Sequence, residues 1–124
     1  MKGILWLSLT GQNSPVEAIY NPANHLHVTI QFNVDLSEVE HLLGRQVMVH
    51  VYEDCHNGRI QALRVELPSE FHTLCSNECP HMTISHLPNV RPVESNAMLE
   101  SEQHDSLPLD LVLATVAEFQ PFRS

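Results

Sequence analysis

Two short stretches of the 124-residue chain repeat one arrangement of reactive side chains, His27-Val28-Thr29-Ile30 and His81-Met82-Thr83-Ile84. On a β-strand the side chains alternate between faces, so each His shares a face with its Thr, and the apolar residue and the Ile take the other. Imidazole titrates close to neutral pH, so two of them can hold opposite protonation states at once. Such a pair suits phosphodiester cleavage. One neutral His takes a proton from a water or a ribose 2′-hydroxyl, and one protonated His gives a proton to the leaving oxygen. Thr29 and Thr83 would donate hydrogen bonds to the non-bridging oxygens and steady the developing charge. In-line displacement needs one imidazole on each side of the phosphorus, so the two motifs must face a common cleft. A single His-x-Thr on a strand ordinarily marks a solvated face; the second copy, followed by the same Ile, sets this chain apart.

The elements that must position these residues are mostly strands. "GILWLSLT" is the first, with Trp6, Ser8 and Thr10 alternating with apolar neighbours. "HLHVTIQF" is the second, placing Leu26, Val28, Ile30 and Phe32 on one face and His25, His27, Thr29 and Gln31 on the other. "DLSEVEHLLGR" follows as a helix, capped by Asp35 or Ser37, striped with Leu36, Val39, Leu42 and Leu43, and ended by Gly44. "VMVHVYE" and "RIQALRVEL" flank Asn57-Gly58, a strong hairpin signal. "SEFHTLCSNE" allows one helical turn. "HMTISH" is the strand of the second motif, with His86 on the opposite parity from His81. The proline-punctuated segment after it reads as a mobile loop with a short helix near Ser95 to Ser101, and "LDLVLATVAEF" is the last strand. Each half thus carries a His-x-Thr strand, a helix or loop, and an apolar strand. The expectation is one α+β domain over residues 1–124: two pseudo-symmetric antiparallel sheets around a central cleft, with few short helices.

Composition narrows the function. The hydrophobic fraction of 43% suits a globular chain, and no apolar run is long enough to span a bilayer. "MKGILWLSLTGQ" lacks a small-residue cleavage site and reads as a strand rather than a signal peptide, so a cytoplasmic protein is expected. The net charge of −9 disfavours coating a long nucleic acid, which needs a basic face, but not a small anionic substrate held by a few donors. The three cysteines, Cys55, Cys75 and Cys79, are expected as reduced thiols. Cys75 and Cys79 with His72 and His81 also form a conceivable zinc set, although the C-x-x-x-C spacing lacks the usual tight pairing.

The paired motifs resemble those of the 2H phosphoesterase superfamily, named for two His-x-Thr/Ser motifs on a bilobal α+β fold. "HLHVTIQF" looks like its first motif and "CPHMTIS" like its second, and the order of elements fits over nearly the whole chain. The small size and the "MKGILWLSL" start are most similar to compact members such as the Swiss Army Knife group linked to RNA repair. The resemblance implies a phosphodiesterase that needs no metal or cofactor. It implies substrates such as 2′,3′-cyclic phosphates, RNA ends, ADP-ribose cyclic phosphate or cyclic oligonucleotides. His27, Thr29, His81 and Thr83 carry over as catalytic residues.

Beyond the motifs, His25 shares a face with His27 and is a candidate to flank the substrate. Tyr20, Trp6 and Tyr52 are candidates to stack a base. Arg91, in the loop after the second motif, leads the phosphate-binding candidates ahead of Lys2, Arg45, Arg59 and Arg64. Two alternatives stand beside the enzyme: a module that binds nucleotide without turnover, and the zinc protein.

Overall fold

The computed structural model describes residues 1–11 and 13–122. Among these residues seven strands, β1 (Lys2–Leu9), β2 (Asn21–Pro22), β3 (His27–Asp35), β4 (Gln46–His56), β5 (Ile60–Glu66), β6 (His81–His86) and β7 (Asp105–Pro121), are joined by three short α-helices, α1 (Leu36–Val39), α2 (Ser69–Leu74) and α3 (Glu94–Glu100), with a 3-10 turn (Glu40–Leu42) after α1. All strand pairings among the described residues are antiparallel, and the strand order is β2-β6-β3-β1-β7-β4-β5, with β5 also pairing β6. The sheet therefore closes on itself through six strands, and β2 lies beside β6 as a short outer piece. The α+β class agrees with the sequence. The two separate sheets do not: β5 hydrogen-bonds directly to β6, which merges what would be two lobes into one sheet.

Local chemistry explains the connections. The Asp35 carboxylate accepts from the Ser37 backbone N–H at 3.1 Å and caps α1, and Gly44 leaves the helical segment with a φ of 85°. At the β4–β5 hairpin, Asn57 Oδ1 accepts from the Arg59 and Ile60 backbone N–H groups, and Gly58 takes a φ of 88°. The last strand is longer than expected and starts at Asp105, because β4 runs on to His56 and pairs it as far as His56↔Asp105.

The main core fills the closed sheet with Leu5, Leu7, Val28, Ile30, Val49, Val51, Leu63, Met82 and Ile84, all at most 1% exposed. A second, smaller cluster lies on the other face of β5, where Met98 and Leu99 of α3 cover Cys55, Ile60 and Ala62. The motif strands β3 and β6 are neighbours, yet they share a single backbone pair, Val28↔Met82. The seam between them is held by packing more than by ladder hydrogen bonds. Val28 and Met82 are fully buried, and each such side chain contributes roughly 1.5–3 kcal/mol by burial.

Candidate active site

The pair Val28↔Met82 sets the geometry of the motifs. Both side chains point into the core, so the residues on either side point to the outer face. The antiparallel register then puts His27 across from Thr83 and Thr29 across from His81. The two imidazoles are diagonal neighbours, with backbones roughly 7–8 Å apart, a span that suits one phosphate group. His27, Thr29, His81 and Thr83 all line one cleft of about 790 Å³. The sequence pattern placed them on strands; the register brings the four together.

Both motif strands carry a bulge at their Ile. In the β1–β3 ladder, Leu5 faces Gln31 and Trp6 faces Thr29, which leaves Ile30 as the extra residue. In the β5–β6 ladder, Gln61 faces Ser85 and Ala62 faces Thr83, which leaves Ile84 as the extra residue. A bulge reverses the alternation beyond it. Phe32, expected in the core, is 67% exposed and lines the cleft. His86, expected on the face away from His81, lines it as well. Each bulge carbonyl is satisfied from the loop that precedes the other motif: Ser76 N–H donates to Ile30 O, and Ala23 N–H donates to Ile84 O, both at 2.9 Å.

The histidines are oriented alike. His81 Nδ1 lies 2.8 Å from Cys79 O, and His27 Nδ1 lies 3.1 Å from His25 O. A carbonyl can only accept, so His81 Nδ1 carries its proton toward Cys79 O, while His27 Nδ1 faces both the His25 carbonyl and the His25 Nδ1 at 2.9 Å; neither Nε2 has a hydrogen-bond partner among the described residues. Burial holds both imidazoles below the usual histidine range. His27 is lowered to about 4, by burial first and then by repulsion from His25. His81 is lowered by burial and by the nearby Arg64 guanidinium, against its bond to Cys79 O. Thr83 Oγ1 lies 2.8 Å from Ser95 Oγ of α3, and Ser95 is fully buried. Among the described residues Thr29 Oγ1 has no hydrogen-bond partner, which leaves it open to the cleft.

Around this centre Trp6 packs on the imidazoles of His25 and His27, stacked on His25 with ring centroids 4.5 Å apart and tilted by 34° on His27 at 4.1 Å. Trp6 also lines the cleft itself. Tyr20 and Tyr52 are not among the cleft-lining residues, and neither is Arg91. Arg45 pairs bidentately with Glu70, and Arg59 with Glu94. Arg64 Nε makes an ion pair with Glu53 at 2.9 Å, off its N–H axis, while Nη1 reaches Cys79 Sγ and Nη2 donates to Leu99 O. Among the described residues the cleft lining holds no Lys or Arg and includes Glu78 and Glu100. His25 is exposed and lies against His27. Sequence reasoning missed Phe32, His86 and Ser95: the bulges carry no signature in composition, and Ser95 is brought to Thr83 by the packing of α3.

The zinc set does not assemble. Cys75 Sγ contacts the Thr29 and Asn77 carbonyls and Cys79 Sγ contacts Arg64. No group of three or more His, Cys, Asp or Glu residues converges among the described residues. No helix among them is long and apolar enough to cross a membrane.

The family model described as the fungal tRNA ligase phosphodiesterase domain matches residues 5–112, a span that includes both His-x-Thr-Ile stretches and most of the strands of the closed sheet. No curated protein matches the chain. The chain therefore belongs to the fungal tRNA ligase phosphodiesterase domain family, which is a 2H phosphoesterase family.

Proposed function

We propose that this chain opens a 2′,3′-cyclic phosphate, on a small nucleotide or at an RNA end, by two-histidine acid–base catalysis without a metal. The family supports the reaction class, a cyclic phosphodiesterase of RNA repair. The observation that carries the mechanism is the pair of imidazoles lining one cleft, each with Nδ1 at a backbone carbonyl and Nε2 without a hydrogen-bond partner among the described residues. His27, the more strongly depressed, is neutral at pH 7 and suits the base that takes a proton from the attacking water. His81 is the acid that returns a proton to the leaving ribose oxygen. A bound phosphate anion favours its charged form and raises its pKa toward the working range. Thr29 and Thr83 donate to the non-bridging oxygens. Among the described residues no Lys or Arg lines the cleft, which favours the single negative charge of a cyclic diester over a polyphosphate.

Phosphorus NMR in EDTA tests this, with 2′,3′-cyclic nucleotides, short RNAs ending in cyclic phosphate, and cyclic dinucleotides as the panel. Turnover of the cyclic phosphates that survives EDTA and drops at least about 10²-fold in both His27→Ala and His81→Ala is expected. Turnover untouched by either substitution overturns the reading.

A further inference from the structure

The contacts of His27 extend beyond its motif. Its Nδ1 lies 2.9 Å from His25 Nδ1 as well as 3.1 Å from His25 O, and His25 Nε2 lies 3.0 Å from Ser8 Oγ. Trp6 clamps both rings, which are 5.0 Å apart between centroids. Two ring nitrogens at that distance share one proton: one must donate and the other accept. His27 is half-buried in the cleft and His25 is exposed at its rim. Atom by atom the row runs from the cleft through His27 and His25 to Ser8.

We infer that His25 and Ser8 form a proton relay that sets the tautomer of His27 and carries protons between the cleft and solvent. With the shared proton on His27 Nδ1, Nε2 is a bare base. When Nε2 takes a proton from the attacking water, the Nδ1 proton moves to His25 Nδ1. His25 then passes its Nε2 proton to Ser8 Oγ, and Ser8 releases its own hydroxyl proton to bulk water. One proton enters and one leaves, and His27 remains as the Nε2–H tautomer, able to donate. The ring thus serves as base or as acid without moving. His25 is in this sense a positioning residue, and the inference rests on the proposed role of His27 only for its effect on turnover.

The other titratable groups around the relay are few. His81 faces it from β6, Glu118 of β7 holds the Trp6 indole N–H at 3.4 Å, and Glu78, His86 and Glu100 line the same cleft. Among the described residues, only His25 and Ser8 lie within hydrogen-bond distance of the relay atoms themselves.

The test uses the full chain with 15N-labelled imidazoles, free of substrate. Long-range proton–nitrogen spectra read the tautomer of His27 directly. In the native protein the Nδ1 and Nε2 shifts of His27 are expected between the protonated and bare extremes, as for two tautomers in exchange. In His25→Gln, where the residue-25 carbonyl remains, the Nδ1–H tautomer alone is expected. The acid limb of the kcat/KM profile should move to higher pH there, because a neighbour that repels the His27 cation is gone. His25→Ala should lower kcat about ten-fold, part of the 10²–10⁴-fold that acid–base catalysis supplies, and added imidazole should restore it. Ser8→Ala keeps both rings and should slow turnover more in low buffer than in high. An unchanged His27 tautomer and acid limb in His25→Gln overturns the relay. Turnover that persists in His27→Ala overturns the catalytic reading and leaves the tautomer result standing.

Discussion

The two threonines of the motifs have the same type and spacing but different surroundings, and the difference is testable. Thr29 Oγ1 has no protein partner among the described residues, so Thr29→Val removes only a donor to the substrate. Its expected cost is about 10²-fold in kcat/KM with the melting temperature unchanged. Thr83 Oγ1 is bonded to the fully buried Ser95 hydroxyl. Thr83→Val strands that hydroxyl at about 1–3 kcal/mol, so thermal unfolding should fall together with activity. The histidines make a second test. The folded state holds His27 near pKa 4 against an ordinary 6.5, so the unfolded chain binds more protons between those values. Stability attributable to His27 is complete above about pH 6.5 and is lost as pH falls toward 4, on the order of 3 kcal/mol in all. Urea unfolding at pH 7.5 and pH 4.5 should show a drop for the native chain that His27→Asn reduces.

At the scale of the elements, the bulges at Ile30 and Ile84 widen what an alternating strand can present. They add Phe32 and His86 to the face that already carries the His-x-Thr pairs. Phe32 is exposed, tilted 53° against Phe122 at 5.1 Å between centroids, and stands on the cleft wall that a nucleobase would meet. Phe32→Ala should therefore raise KM for a cyclic nucleotide several-fold, as loss of one stacking surface worth about 1–3 kcal/mol per base implies. It should leave stability within about 0.5 kcal/mol. A KM unchanged by the substitution would place the base elsewhere. α3 acts from the second cluster: packed on Ile60 and Ala62, it holds Ser95 against Thr83.

For the whole molecule, charge and closure matter most. The chain carries a net charge of −9, and among the described residues the cleft lining has no Lys or Arg. An anionic substrate meets repulsion at long range and neutral donors at short range. Salt screens the repulsion and leaves the hydrogen bonds nearly untouched. kcat/KM for a cyclic nucleotide should stay level or rise between 0.02 and 0.2 M salt on the order of the screening lengths involved. A steep fall, as for proteins that neutralise several phosphates, would show a cationic path to the cleft.

Much of this was legible in the sequence because it depends on neighbours along the chain. Strand alternation put His27 with Thr29 and His81 with Thr83, the Asp35 cap and the Asn57-Gly58 hairpin followed from local hydrogen bonding, and the motifs carried the family. What only the tertiary structure decided depends on which strand lies beside which. Closure of β5 onto β6 replaced two sheets with one, and the Val28↔Met82 register set the imidazoles diagonally across one cleft. The bulges turned Phe32 and His86 into that cleft, while Arg91 and Tyr20 stayed out of its lining. Burial, which depresses both histidines, likewise belongs to the packed molecule. Local sequence sets the conformations a segment prefers, whereas register, closure and desolvation arise only when distant segments exclude water together.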